Sequence, residues 1–211
     1  MFRDIGFGKP VKLIVGGLHG NEGIVTEHIL REILNRVHRV KLRGRLILCN
    51  LTKKEKYIST LCATYYQTDA GKRLLSLIRN YKPEIYIELH SYGKKAYSKL
   101  THPRRKEFFG VPPLVDLEDG ILLGSISPHI RTSEFRNHDL CLTLEIPKDL
   151  NGDTERKVIK ILTLAITSHS QFVFLERLRE MYPSQIRIAE KDFYEYFNGI
   201  KPFGGSIKCQ L

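Results

Sequence analysis

Nothing in the sequence approaches the roughly 18 to 20 consecutive apolar residues that a membrane-spanning helix needs. The longest apolar stretch, residues 159–166, is interrupted by Lys160 and Thr163. Hydrophobic length is also missing at the start, where Met1-Phe2-Arg3-Asp4 runs into Gly6, Gly8 and Pro10. That excludes the uninterrupted apolar region of a secretory signal and predicts a cytoplasmic address. Cysteine is scarce and scattered: Cys49, Cys62, Cys141 and Cys209 never form a Cys-x-x-Cys pair, which argues against a disulfide framework or a cysteine zinc site. All four read as reduced core residues, Cys49 and Cys141 because they sit inside apolar runs. Internal repeats, low-complexity tracts and Pro-, Gly- or Ser-rich linkers are absent too, so nothing divides the chain.

What is present is globular. With 211 residues, 42% hydrophobic and 27% charged, the chain suits one substantial core, and residues 1–211 are expected to form a single domain. Acidic residues fall short of basic ones, 23 against 34, for a net charge of +11. Such a balance favours anionic partners. Basic groups at residues 36–45, 53–56 and 104–106 come without a helix-turn-helix, zinc-knuckle or RNP pattern, so they read as the solvated surface of an enzyme rather than a nucleic-acid interface.

Val11-Lys12-Leu13-Ile14-Val15, closed by Gly16-Gly17, has the pattern of a buried strand. Val25, Ile29, Ile33, Leu34 and Val37 then recur at three- and four-residue spacings, which predicts an amphipathic helix over residues 22–38. Further strands are expected at 45–50, 84–90, 120–126 and 140–146, a second helix at 71–80 stopped by Pro83, and a long helical stretch over 154–180. The alternation predicts an α/β fold, a three-layer sandwich whose mostly parallel mixed sheet is covered on both faces. Its motif-bearing core spans about residues 11–148, with a helical C-terminal part over about 153–211. In such sheets the ligand site lies at the carboxyl ends of the strands. His19 and Glu22 follow the first strand, His90 closes the strand at 84–90, and Glu145 nearly closes the one at 140–146.

A hydrolytic zinc site takes three protein ligands and keeps one position for water, and two histidines with one carboxylate are a common solution. His19-Gly20-Asn21-Glu22 offers two ligands, with Gly17 and Gly20 freeing the backbone to turn both towards one point. His90, at a neighbouring strand end, is the third candidate. Glu145 sits in the apolar run Leu142-Thr143-Leu144-Glu145-Ile146-Pro147. Burying an unpaired carboxylate is costly, so it is expected to have either a task or a structural ion pair.

Leu18-His19-Gly20-Asn21-Glu22-Gly23, Glu88-Leu89-His90-Ser91-Tyr92 and Thr143-Leu144-Glu145-Ile146 occur in this order. Together they resemble the zinc carboxypeptidase superfamily, particularly its succinylglutamate desuccinylase and aspartoacylase branch, over residues 11–148. The resemblance implies a zinc carboxypeptidase-like fold and Zn2+ held by His19, Glu22 and His90. It also implies that Glu145 is the general base, taking a proton from the metal-activated water and delivering it to the leaving amine. The family steadies the oxyanion with an Arg, at whose place Lys56 stands here; a solvated basic loop is the competing reading.

The family's next feature, an Asn-Arg pair that grips a substrate carboxylate, has no counterpart in Ser59-Thr60-Leu61-Cys62-Ala63-Thr64. A free α-carboxylate beside the scissile amide is therefore expected to add little to recognition. Arg131 and Arg136 are the candidates for an anion contact from another side, and each also reads as a surface residue. Several relatives use a late tyrosine, and Tyr182, Tyr194 and Tyr196 all lie late enough. The expected function is zinc-dependent hydrolysis of an amide bond in a small anionic N-acyl compound or peptide. The alternatives are a zinc esterase and an inactive metal-binding protein that recruits an anionic partner.

Overall fold

The computed structural model describes residues 1–198 apart from residues 53 and 55. The strands are β1 (Phe2–Gly6), β2 (Val11–Gly16), β3 (Arg45–Asn50), β4 (Ile85–Tyr92), β5 (Val115–Glu118), β6 (Ile121–Ser125) and β7 (Leu140–Pro147). They form one sheet in the order β1-β3-β2-β4-β7-β6-β5. The four central strands β3, β2, β4 and β7 are mutually parallel, while β1 and β6 run against them and β5 against β6. Every residue of β2 and β3 after the first is buried, as parallel strands covered on both faces require.

The helices are α1 (Gly23–Val37), α2 (Asp69–Tyr81), α3 (Lys94–Leu100), α4 (Arg105–Phe109), α5 (Pro128–Arg131), α6 (Gly152–Thr167), α7 (Gln171–Met181) and α8 (Pro183–Asn198). Alternate strand residues feed two cores. Ile14, Leu48, Ile87, Leu89, Leu144 and Ile146 pack with Ile29 and Ile33 of α1 and Val158 and Leu162 of α6. Leu13, Val15, Ile47, Cys49 and Tyr86 pack with Leu74 and Ile78 of α2 and Ile130 of α5. The result is the three-layer α/β arrangement expected.

Two helices, not one, occupy residues 154–180. The α6 helix stops at Ser168, whose N–H and hydroxyl both donate to the Leu164 carbonyl, and Ser170 restarts the chain by accepting from the Val173 N–H. A serine competing for backbone groups and then capping is a terminator that apolar spacing alone overlooks. The α2 helix is bounded as its sequence suggests, with Thr68 accepting from the Gly71 N–H at its start. Lys82 ends it in the left-handed region at φ 46°, ahead of Pro83. Cys49 and Cys141 are free and buried, as expected. Cys62 is buried but not free: it is disulfide-bonded, and spacing along the chain could not reveal a proximity in space. Cys209 lies outside the described residues. No helix among the described residues is long and apolar enough to cross a membrane.

Candidate metal centre

Between β2 and α1 the chain turns through two glycines in the left-handed region, Gly17 at φ 64° and Gly20 at φ 58°. The turn closes around the Glu22 carboxylate. Its Oε1 accepts from the backbone N–H groups of Leu18 at 2.7 Å and His19 at 3.1 Å, which leaves Oε2 facing the imidazoles. Oε2 lies 3.3 Å from His90 Nδ1 and 3.6 Å from His19 Nδ1. The buried Asn50 ties this loop to the end of β3: its amide donates to the Gly23 and Thr52 carbonyls, and its oxygen accepts from the Thr26 hydroxyl.

A Cβ added to Gly17 would stand 2.2 Å from the Thr52 carbonyl oxygen, in a backbone conformation that side chains resist. Gly17→Ala should therefore destabilise the protein by about 1–3 kcal/mol, the usual cost of a forced backbone conformation. Urea denaturation checks this. A loss below about 0.5 kcal/mol, the range of an ordinary surface change, would show that the turn tolerates a side chain.

Strand geometry delivers the remaining groups. The parallel register pairs His90 with Glu145 and Glu88 with Thr143, so all four side chains share one face with Tyr86. His90 is held on both sides: Nδ1 faces Glu22, and Nε2 lies 3.2 Å from Glu88 Oε2. Glu88 in turn accepts from the Tyr86 hydroxyl at 2.9 Å. Glu22, Glu88 and His90 are no more than 3% exposed.

Burial pushes His19 down to about 4, with the nearby His90 charge acting the same way and Glu22 opposing, so its ring is neutral and has an electron pair to offer. Burial would also lower His90, but Glu22 and Glu88 outweigh it and hold the imidazole well above its usual value. For Glu22 burial raises the carboxyl and His90 more than reverses this. Glu145 is raised, first by burial and then by the charges of Glu22 and Glu88, against the opposing pull of His90 and Arg105.

Three acids thus converge on one imidazole, a field that favours a cation. One ligand atom each from His19, Glu22 and His90 lie within 4.8 Å of one another, so the group could hold a metal ion. Two nitrogens and a carboxylate oxygen, with a further carboxylate behind one histidine to fix its tautomer, fit the donor chemistry of zinc.

The group opens into a cavity of about 110 Å³ whose walls include His19, His90, Glu145, Tyr57, Arg105 and Tyr196. The Tyr57 ring meets His19 edge-on, with centroids 4.6 Å apart. Lys56 is exposed and is not part of the cavity wall. The two arginines expected near Glu145 lie elsewhere. Arg131 donates to the carbonyls of Arg136, Asn137 and Asp139, and Arg136 pairs with Asp139 at 2.8 Å. Asp139 precedes β7, whereas Glu145 is near that strand's end, so nearness in sequence became distance along a strand. Of the late tyrosines, Tyr196 reaches the cavity, Tyr182 packs into the core and Tyr194 is exposed.

Sequence reasoning missed Glu88 and Arg105. The signal for Glu88 was available, since it is an acid inside an apolar strand like Glu145 and shares a face with His90. Arg105 carried none, standing in the basic run Arg104-Arg105-Lys106.

The fold and site define a three-layer α/β protein with a His-Glu-His group able to hold a metal. The chain matches the model of the family described as an uncharacterized protein conserved in archaea, DUF2119, over residues 7–198, and it belongs to that family. An uncharacterized protein of Methanocaldococcus jannaschii is 41% identical over 180 residues, covering 85% of this chain and 87% of its own.

Among solved structures, the chain is similar to the succinylglutamate desuccinylase of Chromobacterium violaceum, with 13% identity and a TM-score of 0.45 over 79% of this chain and 64% of that one. It is also similar to an aspartoacylase family protein of Mesorhizobium loti, with 15% identity and a TM-score of 0.44 over 81% and 62%. A third similar structure is the product-bound ectoine utilization protein of Ruegeria pomeroyi, with 14% identity and a TM-score of 0.45 over 81% and 60%. This chain spans between 60% and 64% of the length of these three.

Proposed function

We propose that this protein is a zinc-dependent hydrolase that cleaves an amide bond in a small anionic N-acyl compound or peptide. The observation that carries the reading is the convergence of His19, Glu22 and His90 on one point, with Glu145 as the cross-strand neighbour of His90 in the wall of the same cavity. Zinc, when bound, supplies Lewis acidity towards a carbonyl oxygen and acidifies water.

The protein's own groups do the rest. Glu145 takes a proton from water in the cavity and hands it to the departing nitrogen. Its raised carboxyl brings acceptance and donation nearer to balance at neutral pH. Glu22 is locked through Oε1 by two backbone N–H groups, so Oε2 keeps its direction towards the imidazoles. Glu88, fixed by the Tyr86 hydroxyl, holds the His90 tautomer that leaves Nδ1 facing Glu22.

The test is metal analysis of protein purified without added zinc, followed by assays on N-acyl amino acids. About one equivalent of zinc, the content of a single catalytic site, with metal-dependent amide hydrolysis is the expected result. No zinc even after reconstitution would remove the basis of the reading. Glu88→Gln should keep the fold and weaken zinc binding by about 10- to 100-fold, the usual effect of losing a partner behind a ligand. Competition with a chelator measures it, and an unchanged affinity would reduce Glu88 to an internal partner of Tyr86.

A further inference from the structure

We propose that Arg105 is the anion-binding residue of this cavity, holding a carboxylate of the ligand in the role that an Asn-Arg pair after β3 would otherwise fill. Naming that ligand as the substrate rests on the hydrolase reading; the binding site itself does not.

Arg105 opens α4, and its Nη1 donates to the Pro112 carbonyl at 2.5 Å. That bond seats the guanidinium in the stretch of wall made by residues 111–114, in the same cavity as His19, His90 and Glu145. A guanidinium has five N–H donors, and the Nε–Nη2 edge is the fork that fits a planar carboxylate. Among the described residues this edge makes no hydrogen bond, and no carboxylate forms an ion pair with Arg105. Arg45, Arg79, Arg104 and Arg136 each have a carboxylate partner. The buried Arg131 gives both of its Nη groups to three carbonyls, which leaves Nε as its one donor without a partner. The half-buried Arg105 alone of these has a fork with both Nε and Nη2 free and a place in the wall of the cavity shared by His19, His90 and Glu145.

Its surroundings set the class of ligand. Burial makes the guanidinium charge of Arg105 less favourable, and the fields of Glu145, Tyr57 and Tyr196 offset only part of that cost. An anion arriving in the cavity completes the compensation. With Glu22, Glu88 and Glu145 close to the metal group, a carboxylate, which brings one charge per group, meets less repulsion than a phosphate that concentrates up to two charges at one point. Asp192, also in the wall, is pushed towards its neutral form by burial and by Glu195. Ala63 and Thr64, where the pair would have stood, are exposed and outside the cavity wall.

The experiment compares succinate with its neutral diamide by calorimetric titration of the zinc-free and zinc-loaded full chain. In both forms the parent should bind succinate about tenfold more tightly or better, the scale of one charge-assisted bidentate contact. Arg105→Gln should abolish the preference, and Arg105→Lys, a point charge without the fork, should retain part of it, with zinc content unchanged in both. Equal affinity for the two probes in the zinc-free parent overturns the proposal, as does an undiminished preference in the variants. Tighter binding of inorganic phosphate than of succinate overturns the carboxylate assignment. If the Gln variant does not fold, the Lys variant decides by the same criterion. A failure of zinc to bind leaves the zinc-free comparison intact, so the hydrolase reading and the role of Arg105 fail separately.

Discussion

Glu145→Gln should leave zinc bound and lower kcat by about 10²- to 10⁴-fold, the usual contribution of a general acid-base group. The substitution keeps the shape of the side chain and removes only its ability to carry a proton. Glu145 is no metal ligand in the group formed by His19, Glu22 and His90, so occupancy has no reason to fall. Stability should hold as well. The carboxyl suffers from burial and from the charges of Glu22 and Glu88, and a neutral amide relieves both. The opposing attraction of Arg105 acts without an ion pair among the described residues, so little is lost on that side. Turnover, zinc content and thermal melting of the variant decide the matter together. Unchanged turnover with a clear loss of stability would assign Glu145 to structure instead of catalysis.

The parts of the molecule that could be read from the sequence share a physical reason. The strands β2, β3 and β4 are buried on both faces and β7 is nowhere exposed, so their apolar runs are nearly continuous, and each was located within a residue or two. Where burial is partial the signal fades: β1 is mostly exposed, β5 has four residues, and neither was expected. The convergence of His19, Glu22 and His90, a group that could hold a metal ion, was legible because the three residues sit where buried strands run out into polar loops. Contacts between side chains brought together by tertiary structure were not. Arg131 and Arg136 precede Glu145 closely in sequence yet end up at the far end of β7, while Arg105, 40 positions before it by numbering (145 − 105), shares its cavity. Position along a chain predicts a strand's end well and a cavity wall poorly.

His90→Ala should weaken zinc binding by more than about 100-fold, because losing a partner behind a ligand already costs about 10- to 100-fold and here the ligand itself goes. The loss has a second component. His90 lies between Glu22 and Glu88, both buried, and the raised imidazole is the cation that compensates them in the metal-free protein. Glu22 keeps its two backbone donors and Glu88 keeps the Tyr86 hydroxyl, so the fold should survive at a cost of about 1–3 kcal/mol, that of leaving buried acceptors short of a partner.

That cost should depend on pH with a defined sign. Glu22 is lowered by His90, so its contribution is present above the unfolded carboxylate value and disappears as pH falls through the folded one. The share of His90, whose imidazole is raised, is complete below its unfolded value of about 6.5 and fades as pH rises beyond it. The variant should therefore trail the parent most between about pH 5 and 6, with the gap closing below about pH 4 as the carboxylates protonate. Urea melts of both metal-free proteins at the two pH values, beside a chelator competition at neutral pH, test the two components separately. A variant that competes for zinc as well as the parent is incompatible with His90 as a ligand, whatever the melts show. A stability gap that widens as pH falls from about 5 to below about 4 would mean that His90 does not compensate Glu22 in the metal-free protein.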